Sequence, residues 1–137
     1  MNLNRATSIS YFLLRAVTGW MYFQAGATKL AGWFGGMPGS GGVPAPLMTQ
    51  VGIGGALEFF GGIAIMLGLF TRPVAFILCG EMAVAYWQFH APNGAWPVQN
   101  GGVAAALFCF VFLYMAARGA GEWSLDSLIA RRGSKKS

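Results

Sequence analysis

Charge is what this chain has least of. Asp, Glu, Lys and Arg make up 9% of its 137 residues, against about a quarter in soluble domains, which excludes an ordinary solvated exterior. One histidine, His90, excludes bis-histidine haem ligation within a single chain. The two cysteines, Cys79 and Cys109, form no C-x-x-C, and a mixed His/Cys zinc site is implausible with both thiols in apolar segments, so no metal is expected. They fall at similar depths and read as small apolar packing residues, with a disulfide geometrically open. No glycine-rich stretch follows a strand and leads into Lys-Ser or Lys-Thr, which excludes a phosphate-cradling loop. The net charge of +5 forms no basic stripe, so nucleic acid is not an expected partner.

What is present is apolar: 55% hydrophobic residues, 15% aromatics and 21 glycines. Four apolar stretches stand out, Ser8–Leu30, Met48–Phe70, Pro73–His90 and Gly101–Ala117. Each is about as long as a helix needs to cross ~30 Å of hydrocarbon. Helix is the expected form, because a lone strand leaves its backbone unsatisfied in lipid. The linkers agree: Gly35–Pro46 is crowded with Gly and Pro, Thr71-Arg72-Pro73 is a short turn, and Ala91–Asn100 holds two prolines and an Asn-Gly pair. The expected fold is an all-α membrane protein, one domain over 1–137 built as a four-transmembrane-helix bundle.

Positive residues set the expected orientation. Arg5, Arg72 and the group Arg118, Arg131, Arg132, Lys135 and Lys136 fall in alternate connections. Four spans then place both termini in the cytoplasm, in a bacterial inner membrane. Trp33, Trp87 and Trp96 mark the outer interface and Trp123 the inner one. A cleaved signal peptide is the rival for the N-terminus, but Arg15 splits its apolar core, so a retained first span is expected. Ser124–Arg132 reads as a short interfacial amphipathic helix capped by Ser124 or Asp126.

Three ionisable residues interrupt the spans: Arg15, Glu58 and Glu81. A charge at mid-span costs roughly 2.5–3.5 kcal/mol on insertion scales, so such groups face one another or a polar cavity. Arg15, Gly19, Tyr22, Gly26 and Lys29 share one face of the first span, and Gly54, Glu58 and Gly62 share one face of the second. Glu81 follows Gly80 on the third. By helix rise Arg15 is expected to pair with Glu81, with Glu58, or with both. One base and two acids leave a carboxylate short of compensation, a candidate proton carrier. The plainer alternative is a structural ion pair that fixes helix register. Arg15, Glu58 and Glu81 are therefore the candidate catalytic residues.

A second expected group lies at the outer end: Gln24, Lys29, Trp87, Gln88 and His90, with Trp96 and Asn100 beside them. Aromatic walls with a few hydrogen-bonding groups suit a quinone ring or a small polar substrate. The alternative is a plain aromatic belt with a snorkelling lysine. Lys29, Gln24, Tyr22, Trp87 and His90 are the candidate ligand-binding residues.

The run Gly55–Pro73 (GALEFFGGIAIMLGLFTRP), Leu14-Arg15 with Gly26-Ala27-Thr28-Lys29-Leu30, Asn100-Gly101-Gly102, and the tail Trp123-Ser124-Leu125-Asp126 together resemble the DoxX family. The resemblance covers nearly the whole chain. It implies a small four-helix membrane protein, in some members a subunit of a quinone-linked oxidoreductase acting on thiosulfate, in others an associate of redox-defence proteins. It also implies that Arg15, Lys29, Glu58 and Arg72 hold the family's recurrent polar positions. Many relatives carry a glutamate after Asn-Gly-Gly, where this chain has Val103.

The leading expectation is an integral membrane subunit of an oxidoreductase system, possessing no intrinsic cofactor and drawing electrons from a protein partner, with quinone and a small sulfur or thiol compound as ligands. A non-catalytic membrane anchor, docking through its glycine faces, is the alternative, and a small-solute or proton transporter the third. Four spans are few for a transporter, so that reading requires a homo-oligomer.

Overall fold

The computed structural model describes residues 2–134 and is helical, with no strand among them. Lys135 and Lys136 of the basic tail lie outside the described residues. Six α-helices follow in order: α1 Leu3–Ala31, α2 Gln50–Leu67, α3 Thr71–Ala85, α4 Pro97–Asn100, α5 Val103–Arg118 and α6 Leu125–Ser134. The four expected apolar stretches thus each overlap one long helix. Of the helices, α2 is the one both long and apolar enough to cross a membrane by itself, at 18 residues; α5 is apolar but shorter.

Capping fixes the helix ends. The Asn2 side chain accepts the Arg5 N–H at 2.9 Å, which starts α1 five residues before the expected Ser8. Thr49 accepts the Gly52 N–H at 3.1 Å and starts α2. Gly68 ends α2 in the left-handed region at φ 68°, a conformation that costs a residue with a Cβ roughly 1–2 kcal/mol. Pro73 sits in the first turn of α3, where its missing N–H is harmless. Past Ala85 the chain widens into a π-helical turn, Tyr86–His90, followed by a tight turn over Ala91–Asn93.

The chain divides into two compact units: residues up to Thr71 with those from Ala120 onward, and Arg72–Gly119. In the first unit α1 and α2 lie antiparallel at very close range. A Cβ on Gly19 would meet the backbone of Gly62 and Met66, and one on Gly26 the backbone of Gly55 and Phe59. Small residues facing one another let dispersion forces act along two whole backbones, which is how helices associate without a hydrophobic effect between them. The buried face of α1 is Tyr11, Arg15, Thr18, Gly19, Tyr22, Gly26 and Ala27, as the helical spacing requires. That of α2 is Gly52, Gly55, Glu58, Gly61, Gly62 and Ile65, so Gly55 replaces the expected Gly54 opposite α1.

The N-terminal part of α1 extends beyond the end of α2, and the chain from Ala120 onward returns to it. Tyr11 packs against Gly121, and the rings of Phe12 and Trp123 meet edge-on at 5.5 Å. Ser124 then caps α6 by accepting the Ser127 N–H at 3.1 Å. Asp126, the other expected cap, acts elsewhere: its carboxylate accepts the N–H groups of Phe70 and Thr71 at 2.7 and 2.9 Å. Its own N–H donates to the Gly68 carbonyl at 2.9 Å.

In the second unit Arg72 ties the two long helices end to end. Its guanidinium donates to the carbonyls of Ala116, Ala117 and Arg118 at 3.1, 2.6 and 3.2 Å, capping the C-terminus of α5 from the first turn of α3. At the other end Asn100 is buried, donates to the Gly94 carbonyl at 2.9 Å and accepts the Gly102 N–H at 2.8 Å. A Cβ on Gly102 would strike the Tyr86 ring. Asn-Gly-Gly is therefore a structural turn that seats α5.

Candidate functional site

Every polar group within the long helices needs a partner, and in the first unit the partners separate Arg15 from Glu58. Arg15 is 1% exposed. Its Nη1 donates to the carbonyls of Ile65 and Met66 at 3.2 and 3.4 Å, and Nη2 donates to the Trp123 carbonyl. The last carbonyls of α2 have no intrahelical donors and carry the negative end of the helix dipole, so a planar cation suits them. Asp126 adds an opposing charge, and the Phe12 ring lies 5.8 Å from the guanidinium carbon.

The expected meeting of Arg15 with Glu58 does not occur. The Arg15 guanidinium is level with the Ile65 and Met66 carbonyls, and Glu58 lies seven to eight residues back along α2, a rise of ~11 Å. Glu58 pairs instead with Lys29, Nζ to Oε1 at 2.6 Å. Lys29 was expected in the outer group, apart from Glu58. Its aliphatic stem passes over Gly55, whose absent side chain leaves the groove open, and its reach makes up the difference in height along the two helices.

This ion pair is the most unusual site in the first unit. Glu58 is 3% exposed, whereas the Lys29 side chain is 30% exposed, so the cation bridges the interior and the surface. Oε2 of Glu58 is buried without a hydrogen-bond partner. Such an oxygen costs roughly 1–3 kcal/mol, more when charged, which marks it as a place to bind a donor or carry a proton. Buried Tyr22 lies on the same face of α1, between Gly19 and Gly26. Gln24 is half-buried, and its carbonyl accepts the Thr28 hydroxyl at 2.8 Å.

The remaining sequence-derived residues lie in the second unit. Glu81 is half-buried on α3. Trp87 is exposed in the π turn and packs edge-on against Tyr86 at 5.4 Å. His90 closes that turn with Nδ1 at 3.1 Å from the Asn100 carbonyl oxygen, so Nδ1 is the protonated nitrogen of this contact. The sequence reading missed the Trp123 carbonyl as a ligand of Arg15 and Asp126 as the clamp on Phe70 and Thr71. The spacing Trp123-Ser124-Leu125-Asp126 was the available signal, since it sets both groups on one turn.

Large apolar side chains are turned outward along the long helices, among them Val17, Trp20, Phe60, Phe76, Leu107 and Phe110. That exterior, with Arg15 and Glu58 engaged inside the first unit, suits a membrane protein in contact with a lipid bilayer, which is what the family match gives. The chain belongs to the DoxX family, whose model matches residues 10–91. An uncharacterized protein of Haemophilus influenzae is 40% identical over 123 residues, covering 85% of this chain and 90% of that protein. A second uncharacterized protein of the same organism is 28% identical over 132 residues, covering 91% of this chain and 86% of that protein. No solved structure matches the chain.

Proposed function

We propose that this protein is the integral membrane subunit of an oxidoreductase system, and that the Lys29–Glu58 pair is where it handles a proton or binds a ligand. Of the four recurrent polar positions of the family, Arg15 and Arg72 each hold the C-terminus of a helix. That leaves Lys29 and Glu58 for chemistry. The single observation that carries the reading is the buried Oε2 of Glu58, unpartnered while its twin oxygen holds the ammonium of a partly exposed lysine. In this reading α1, α2, α3 with its π turn, and α5 cross the bacterial inner membrane, with both termini cytoplasmic.

A ligand with a hydroxyl or carbonyl oxygen, such as a quinone or a small sulfur compound, suits this pair: a protonated Glu58 donates to such an oxygen, and Lys29 supplies a positive field. Electrons reach the site from a protein partner. The test is mass spectrometry of quinones and sulfur compounds retained by the protein purified in native lipid. The wild type should retain a ligand and Glu58→Gln should lose it while keeping its thermal transition. Equal retention in both would overturn the assignment.

A second reading, a non-catalytic membrane anchor, is favoured by Arg15, whose hydrogen bonds all go to backbone carbonyls. On that reading Glu58→Gln changes stability or assembly and leaves the retained small molecules unaltered.

A further inference from the structure

Cys79 and Cys109 sit on different helices of the second unit with Sγ atoms 3.7 Å apart, and both are free thiols. Their placement follows from a register that the rest of the unit enforces. Cys79 comes seven residues after Arg72, and Cys109 seven before Ala116, whose carbonyl Arg72 holds. With equal helical rise from a common clamp, both thiols reach the same height, ~10 Å from it. Each also sits at the same place on its helix. Cys79 is four residues after buried Ala75 and three before buried Met82; Cys109 is four after buried Ala105 and three before buried Phe112. Two thiols that merely filled space would need neither the matched height nor the matched face.

We propose that Cys79 and Cys109 form a reversible dithiol–disulfide couple, oxidised by a lipid-soluble quinone. A disulfide needs sulfurs about 2.05 Å apart, so closure requires roughly 1.6 Å of approach by side-chain rotation and small helix movement. The step balances. Two S–H bonds break, one S–S bond forms, and the two electrons and two protons pass to the quinone oxygens to give the quinol. The oxidant is lipid-soluble because the thiols lie half-buried in apolar helices, a helical turn or more from any polar loop. The couple goes beyond the Lys29–Glu58 reading: it gives the chain a two-electron centre of its own.

The test uses the full chain in lipid nanodiscs, reduced, freed of reductant and kept anaerobic. Ubiquinone-1 is added, and the protein is cleaved at methionine without reduction. Met82 is the one methionine between the two cysteines, so fragments 67–82 and 83–115 stay joined only through the disulfide. The expected result is joined fragments and one quinol per chain, both absent in Cys79→Ser and in Cys109→Ala, with rejoining reversed by a phosphine reductant. Copper phenanthroline serves as a second oxidant. Joining with copper alone would overturn the quinone as acceptor, and joining with neither, or only between chains, would overturn the couple. Arg72→Ala should slow joining several-fold as the helix ends lose register. Joining is read from the fragments on either side of Met82 and ligand retention from the separate Glu58→Gln comparison, so failure here and failure of the Glu58 site read out separately.

Discussion

Arg15 and Gly68 occupy complementary space: a Cβ built on Gly68 would overlap the Arg15 guanidinium and press on Ser124. Gly68 also holds a left-handed φ of 68°. Gly68→Ala therefore meets two penalties, a backbone one and a steric one, and should destabilise by about 2–4 kcal/mol. Thermal unfolding in detergent checks this. Wild-type stability would disprove the close fit.

Replacing Arg15 strips donors from three carbonyls at once. Arg15→Ala should cost roughly 2–4 kcal/mol, and Arg15→Lys distinctly less, because it keeps the charge but loses the fork that serves two helix-end carbonyls and Trp123 together. Equal loss in both variants would argue that only the planar geometry matters.

Removing one member of the Lys29–Glu58 pair leaves the other without its partner. Lys29→Met should destabilise by roughly 3 kcal/mol, because a 3%-exposed carboxylate is left alone. Combining it with Glu58→Gln should recover much of that loss, a coupling of about 1–3 kcal/mol in a double-mutant cycle. Additive effects would mean that the two side chains do not meet.

Asp126 receives two adjacent backbone N–H groups from the turn into α3, where Phe70 holds a positive φ of 47°. Asp126→Asn should cost about 1 kcal/mol and Asp126→Ala up to about 2. Hydrogen exchange at the Phe70 and Thr71 amides should quicken in both, more in the alanine variant. Unchanged protection at those amides would remove the clamp.

The helices were legible because spacing is a property of the sequence itself. The 4-3 stripe of Arg15, Gly19, Tyr22 and Gly26 is the face that α1 buries. The partners of the charges were not legible in the same way. Arg15 is held by carbonyls, which every residue carries, so no residue type announces them. Lys29 was misplaced because Cα height ignores the reach of a long side chain across Gly55. The turn at Gly68 was also invisible in hydropathy, since Leu69 and Phe70 prolong the apolar run while the helix has already stopped. The π turn over Trp87 and His90 adds a residue to one helical turn, which shifts faces without changing composition. The glycine faces of α1 and α2, through which the anchor alternative would dock, pack against each other, as close helix approach at glycine predicts.

Translation makes Arg15 more than a hundred residues before the Trp123 carbonyl that completes its coordination. A ribosome therefore delivers the first helix with a cation that meets the Ile65 and Met66 carbonyls once the first hairpin has closed. Full settlement waits until Trp123 has been made. Chains shortened ahead of Trp123 should thus be prime substrates for membrane quality-control proteases, although every long helix is already made.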